Sequence, residues 1–231
     1  MKSASVSRRA FLRTSMLIAA GAAVGLVGCG SSRNADGASA AASADSSSVQ
    51  DGGIGQPAQS ATGTNGGTKP LVVYFSYTGN VDKMAHWIAD ETKGDLVRVT
   101  ATDAYPDDYD ATVDRAKEEL DNGARPQINV DLSADQLAGY DTVFFGFPVW
   151  WYDLPTPMYT FLESYDLSGK QVIPFFSHGG SSNGAGSLPT LESLASGANV
   201  RSSDAISILG DNVKDSEQDV RAWVKGLGYS A

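Results

Sequence analysis

Two kinds of apolar spacing alternate along the chain from residue 69 onward. Short apolar runs recur at residues 71–75, 142–147, 171–177 and 205–209, and runs of that length suit strands buried on both faces of a parallel sheet. Residues 95–100 (Asp-Leu-Val-Arg-Val-Thr) alternate apolar and polar side chains instead, which predicts a strand with one better-buried face. Between these segments the spacing becomes helical. Val81, Met84, Ala85, Ile88 and Ala89 fall at i, i+3, i+4, i+7 and i+8, the stripe of a helix with one buried side. Tyr109, Val113, Ala116 and Leu120 form a second stripe, stopped by Asn122-Gly123. Thr156-Pro157 is expected to open a short helix by cap and first-turn proline, with Met158, Phe161 and Leu162 inward. Residues 187–196 place Leu188, Leu191 and Leu194 on one side, and Val220, Trp223, Val224 and Leu227 mark a last helix. Pro174 removes one ladder donor and argues against a fully regular strand at 171–177.

Strands alternating with helices predict an α/β fold: a doubly wound five-stranded parallel sheet with helices on both faces. Ligands of such sheets lie beyond the carboxyl ends of the strands, near the switch in strand order. The loops after strands one, three and four are the richest in Gly, Ser and aromatic residues, so they are expected to converge there.

The first 68 residues offer little from which to build a core. Residues 1–28 have a basic start (Lys2, Arg8, Arg9, Arg13) and then an apolar run from Met16 to Val27, shorter than the roughly 20 residues of a membrane span. They read as an export signal. Ser7-Arg8-Arg9-Ala10-Phe11-Leu12 resembles the twin-arginine type, whose route carries folded proteins, and Leu26-Val27-Gly28-Cys29 resembles the bacterial lipobox. Cys29 is then the lipidated residue, and residues 29–68, dominated by small and polar residues, form a flexible tether with a reach of roughly 35 Å. Lipid attachment implies a protein held at the outer face of the cytoplasmic membrane. Cys29 is also the one cysteine of the chain, so intramolecular disulfides and iron–sulfur sites are excluded and redox chemistry needs a bound cofactor. From Lys69 onward, 12 Lys and Arg stand against 24 Asp and Glu, a formal net charge of −12. Nucleic acid is a poor partner for that surface. The acidic run at residues 103–110 lacks the spacing of a calcium loop and reads as a solvated loop and helix start.

The turn after the first strand, Ser76-Tyr77-Thr78-Gly79-Asn80-Val81, gathers small hydroxyl and amide side chains around a glycine where a helix begins. A helix start carries unsatisfied N–H groups and a partial positive charge, so this turn suits a phosphate without a cation. It lacks the Gly-Lys-Ser/Thr of nucleotide triphosphatases and the three-glycine dinucleotide fingerprint. The competing reading is an ordinary strand-to-helix turn capped by Thr78 or Asn80. After strand three comes Pro148-Val149-Trp150-Trp151-Tyr152. Such an aromatic loop suits a flat conjugated ring, or else its tryptophans plug the sheet end or an interface. After strand four comes Ser177-His178-Gly179-Gly180-Ser181-Ser182-Asn183-Gly184, whose last five residues also fit the G-x-S-x-G nucleophile elbow of hydrolases. No histidine follows His178, so the hydrolase triad cannot be completed in its usual order. His86 falls on a helix surface.

Together these three loops resemble those of the flavodoxin-like family of FMN-binding proteins, over about residues 69–229, including Arg125-Pro126 and Gly169-Lys170. The resemblance implies noncovalent FMN. Ser76, Thr78, Gly79, Asn80 and Val81 would hold its phosphate, and Pro148, Val149, Trp150 and Trp151 would lie against ring and ribityl chain. Ser177, His178, Gly179 and Gly180 would lie at the ring edge. It implies electron transfer with a redox partner protein. Many carriers of the family cover the flavin with an aromatic from each ring loop, and the loop after strand four here has none. An open face admits a small quinone or nicotinamide, so an FMN-dependent NAD(P)H:quinone-type reductase is the alternative. A cofactor-free binding module on a tether is a third reading.

Overall fold

The computed structural model describes residues 69–180, 184 and 186–229. The expected signal, Cys29 and the tether lie outside the described residues, as do Ser181, Ser182 and Asn183. Among the described residues no helix is long and apolar enough to cross a membrane.

The central sheet is parallel. β1 (Leu71–Tyr74) lies between β2 (Asp95–Arg98) and β5 (Thr142–Pro148), and β5 pairs along its whole length with β6 (Gln171–His178). The fifth position is divided. β7 (Asn199–Val200) pairs the first part of β6 and β8 (Ile206–Leu209) its last part. The expected strand at 205–209 is therefore only half of an edge, and Pro174 explains the break. The Val172 carbonyl accepts from Arg201 N–H at 2.8 Å, so two residues on, Pro174 faces the same edge with no N–H to offer. The edge chain leaves the sheet there through a turn at Ser202–Asp204 before rejoining as β8.

Alternate residues of each central strand enter opposite cores. Leu71, Val73 and Phe75 join Phe145, Phe147, Met158, Phe161 and Leu191 on one face, under α4 (Thr156–Ser164) and α5 (Ser187–Leu194). Val72 and Tyr74 join Met84, Ile88, Phe144, Ile173 and Val220 on the other, under α1 (Asn80–Thr92) and α6 (Glu217–Gly226). This is the doubly wound α/β architecture the spacing predicts.

The structure also departs from the sequence pattern. A two-stranded ribbon of β3 (Thr100–Ala101) and β4 (Ile128–Asn129), and the short α3 (Ala134–Ala138) with a Ser133–Gln136 capping box, carry too few residues to show a period. α2 (Tyr109–Asp121) starts from an Asp108 side-chain cap and buries Thr112 and Ala116, whereas Tyr109, expected inward, is 67% exposed. Thr156 does not cap α4. Pro155 holds the cap position, and the Thr156 hydroxyl donates to the Glu119 carboxylate instead.

Candidate functional site

The turn after β1 is built on unmet hydrogen-bonding capacity. Gly79 takes the N-cap position of α1 with φ +85°, a left-handed conformation that glycine adopts without strain, and a Cβ there would meet nothing within 4 Å. No side chain caps the helix. The competing reading, a turn capped by Thr78 or Asn80, is therefore not what the structure contains. The first N–H groups of α1 remain without helical partners. Beside them the Ser76 hydroxyl is buried, 5% exposed, with no hydrogen-bond partner. Burying an unpaired hydroxyl costs about 1–3 kcal/mol; Ser187 at the start of α5 is a second such group among the described residues, and Ser76 is the one that lies in this turn, free to bond a ligand. A phosphate oxygen fits the donor set.

One residue near this turn was missed in the sequence. Arg98, last in β2, pairs in register with Tyr74, which brings its guanidinium to the same rim. Its Nη2 donates to the Ser76 carbonyl at 3.0 Å, and its Nη1 lies 3.6 Å from Asp82 Oδ1. Asp82 stands in the first turn of α1 and accepts the Tyr74 hydroxyl at 2.7 Å. Burial, then the bond to Asp82, raises the Tyr74 phenol above its ordinary range. Arg98 thus fixes the Ser76 peptide and offsets the Asp82 carboxylate at the start of α1. The signal for it was positional: a cation ending the strand next to β1.

The turn after β5 separates its two tryptophans. Trp150 plugs the end of the sheet, edge-on to Phe75, Tyr77 and Tyr105 with ring centroids 5.4, 6.0 and 5.0 Å away. Tyr105 is held in turn by the Glu119 carboxylate, which also takes Arg115 Nε at 2.7 Å and the Thr156 hydroxyl. Burial raises the Glu119 pKa, and the bonds from Thr156, Tyr105 and Arg115 outweigh it, leaving the carboxyl below its ordinary value. Trp151 turns the other way. Its indole N–H donates to the Val113 carbonyl of α2 at 3.2 Å, with Trp151 and Tyr152 both left-handed at φ 49° and 66°. Pro148 and Val149 are half-buried between these two directions.

The turn after β6 begins beside the turn after β5. Pro148 pairs with Ser177, and Val149 N–H donates to the Ser177 carbonyl at 2.8 Å. Ser177 is buried, His178 half-buried, and Gly179 and Gly180 exposed. His178 Nδ1 accepts the Gly180 N–H at 3.0 Å; an accepting nitrogen carries no proton, so the neutral ring presents its N–H from Nε2. A Cβ at Gly210, just past β8, would sit 3.0 Å from Asn80 Nδ2 and 3.7 Å from the His178 carbonyl, which places the turns after β1 and β6 side by side. The three turns therefore meet at one rim, where strand order switches between β1 and β5, with only Trp151 directed away over α2. His86 is exposed on α1, its Nδ1 2.8 Å from the Asp82 carbonyl oxygen.

A doubly wound parallel sheet with an uncapped, hydroxyl-lined helix start at its switch point defines a class of small α/β domains that hold a phosphorylated ligand at the carboxyl rim. The flavodoxin family model matches residues 69–227, and the chain belongs to that family. It resembles a protein of Bacteroides uniformis provisionally described as a flavoprotein: 31% identity over 69% of this chain and 99% of the other, TM-score 0.58. A second such protein, from Bacteroides eggerthii, is 30% identical over 68% and 96%, TM-score 0.57. A flavoprotein of Lactobacillus acidophilus, determined in complex with FMN, is 26% identical over 64% and 97%, TM-score 0.51. No curated protein matches the chain.

Proposed function

We propose that this protein binds FMN at the carboxyl rim and transfers electrons with a redox partner protein, tethered by lipid to the outer face of the cytoplasmic membrane. The observation that carries the cofactor assignment is the buried, unpartnered Ser76 hydroxyl beside the uncapped start of α1. Family membership and the FMN complex of the Lactobacillus acidophilus protein support the same assignment. Ser76, Thr78, Gly79, Asn80 and Val81 hold the phosphate through hydroxyls, amide and backbone N–H groups. Val149 and Trp150 form a wall for the ring, with Ser177, His178, Gly179 and Gly180 at its edge and the His178 Nε2–H available as a neutral donor. FMN supplies the reversible uptake of electrons, and the protein sets its environment. Residues 1–28 and Cys29 support export and lipidation by their resemblance to twin-arginine and lipobox sequences.

The absence of an aromatic from residues 177–184 favours a second reading, an FMN-dependent reductase whose flavin face admits a small ring substrate. Purification of the whole chain and titration with FMN test the first claim. Yellow protein releasing FMN is expected; folded, colourless protein indifferent to added FMN would refute it. Steady turnover of NAD(P)H with a quinone distinguishes the reductase, and oxidation only by a partner protein the carrier. Arg8→Lys with Arg9→Lys is expected to stop delivery to the envelope, and normal delivery of that variant would remove the export claim.

A further inference from the structure

The large hydrophobic side chains left exposed among the described residues are Tyr109, Trp151 and Tyr152. They are not scattered. Tyr109 and Trp151 line one cleft of about 260 Å³ between α2 and the turn after β5, with Val113, Ala116, Val149 and Trp150 among its other walls, and Tyr152 follows directly in the chain. Trp151 and Tyr152 are the two left-handed central residues of a tight turn closed by reciprocal hydrogen bonds between Trp150 and Asp153, at 3.0 and 2.9 Å. Neither is a glycine, so each costs about 1–2 kcal/mol, and the turn they make presents both aromatic side chains outward. The Trp151 indole is also fixed, since its N–H is engaged by the Val113 carbonyl and the Lys117 ammonium lies 5.5 Å from its ring centroid.

We infer that this cleft binds a flat, uncharged aromatic molecule of one or two rings, the quinone class. Its walls are aromatic and aliphatic apart from Thr112, whose hydroxyl is taken by the Pro106 carbonyl, and its size is at the small end of ligand pockets, too small for a dinucleotide. Charge points the same way. Asp107, Asp108, Asp110 and Asp114 are exposed at or near the start of α2, and Lys117, the cation beside the cleft, is paired with Asp121. A phosphorylated nicotinamide would meet repulsion there, and a neutral ring would not. The cleft shares Val149 and Trp150 with the wall proposed for the flavin ring. It stands on its own geometry, and its use for a redox substrate rests on the FMN reading.

The test uses FMN-loaded, nitrogen-labelled whole protein and menadione as probe, read by the indole N–H signals of its four tryptophans. Menadione is expected to shift the Trp151 and Trp150 signals saturably and to leave those of Trp87 and Trp223 in place. Val113→Phe, which fills the cleft without removing the carbonyl that holds Trp151, is expected to weaken this about tenfold or more. Tyr109→Ser, at an exposed wall where folding is not at risk, should also weaken it. Unmoved Trp150 and Trp151 signals, or equal shifts of all four, would overturn the inference. So would tighter binding of NADH at the same signals, or loss of exchange with a protein partner in Val113→Phe without any menadione response. If the protein takes no FMN, the flavoprotein reading fails separately, and the same titration on the FMN-free protein still decides the cleft.

Discussion

The turns after β1 and β5 leave neighbouring strands at one rim, yet they are built on opposite principles. The first is almost all backbone and hydroxyl: a left-handed glycine, an uncapped helix and a buried Ser76 hydroxyl without a partner. The second is over-determined by side chains, with Trp150 enclosed by three aromatic rings and Trp151 bonded to α2. The lesson is one of division of labour. A site for a charged group keeps polar capacity unmet until the ligand arrives, whereas a wall for a flat ring is fixed in advance by packing, so that little ordering remains to be done on binding.

Substitutions that act on one turn and spare the other are the means of breaking this contrast. The largest effect on stability is expected at Glu119, which anchors Tyr105 behind Trp150. Glu119→Ala removes the acceptor shared by Arg115 Nε, Tyr105 and Thr156, while Arg115 keeps Asp103 and the Ala104 carbonyl, and should destabilise the fold by about 2 kcal/mol, lowering Tm by roughly 4–8 °C in a domain of this size, as calorimetry would show. The same carboxylate sets an acid limit. Its folded pKa lies below the unfolded value, so its stabilisation is present above the ordinary glutamate range and is lost as pH falls through the folded pKa. Glu119→Gln should flatten the acid limb of the stability curve, and an unchanged limb would show that other carboxylates set it.

Ser76→Ala acts on the other turn, and its two effects have opposite signs. Removing an unmet buried hydroxyl should raise the stability of FMN-free protein by about 1 kcal/mol, while losing a bond to a charged oxygen weakens FMN by about 1.5–3 kcal/mol, tenfold or more. Riboflavin, which lacks the phosphate, should bind both proteins alike. Equal losses for FMN and riboflavin would show that Ser76 does not face the phosphate. A smaller effect is expected at Arg98. Arg98→Gln removes the guanidinium beside the Asp82 carboxylate and should weaken FMN roughly three- to tenfold, more at low salt, with most of the loss recovered on adding Asp82→Asn. Failure of the second substitution to recover binding would mean that Arg98 acts through the Ser76 peptide alone. The smallest is Trp151→Phe, which removes one hydrogen bond to Val113, about 1 kcal/mol of stability, and should leave FMN affinity nearly unchanged. A large loss of FMN in this variant would return Trp151 to the flavin wall.

These outcomes also measure how far the sequence reaches. The uncapped turn of Ser76, Gly79 and Asn80 was legible because a donor-rich strand-to-helix turn is a local object, formed by consecutive residues whose backbone alone supplies most of the donors. Trp150 and Trp151 were legible as chemistry but not as direction. Adjacent residues in an irregular turn diverge, and which one enters the core depends on Tyr105 and Val113, distant in the chain. Tyr109 misled for a related reason: a helical stripe gives the buried side only where another element packs against it, and at the first turn of α2 Tyr109 borders an open cleft instead of a packed core. Arg98 and Glu119 carried no motif, and Thr156 carried a helix-start signal that the structure puts to another use, because their roles lie in contacts between separate segments.

By itself, then, the chain's order of residues determined the central strands, the longer helices, their alternation and the turn that suits a phosphate, since each depends on spacing along a few neighbouring positions. The broken fifth strand, the opposite courses of the two tryptophans, the cation behind the cradle and the aromatic cleft were decided only by tertiary structure. They arise where packing and charge pairing bring distant segments within a few ångströms, and interactions of that range have no period for a sequence to display.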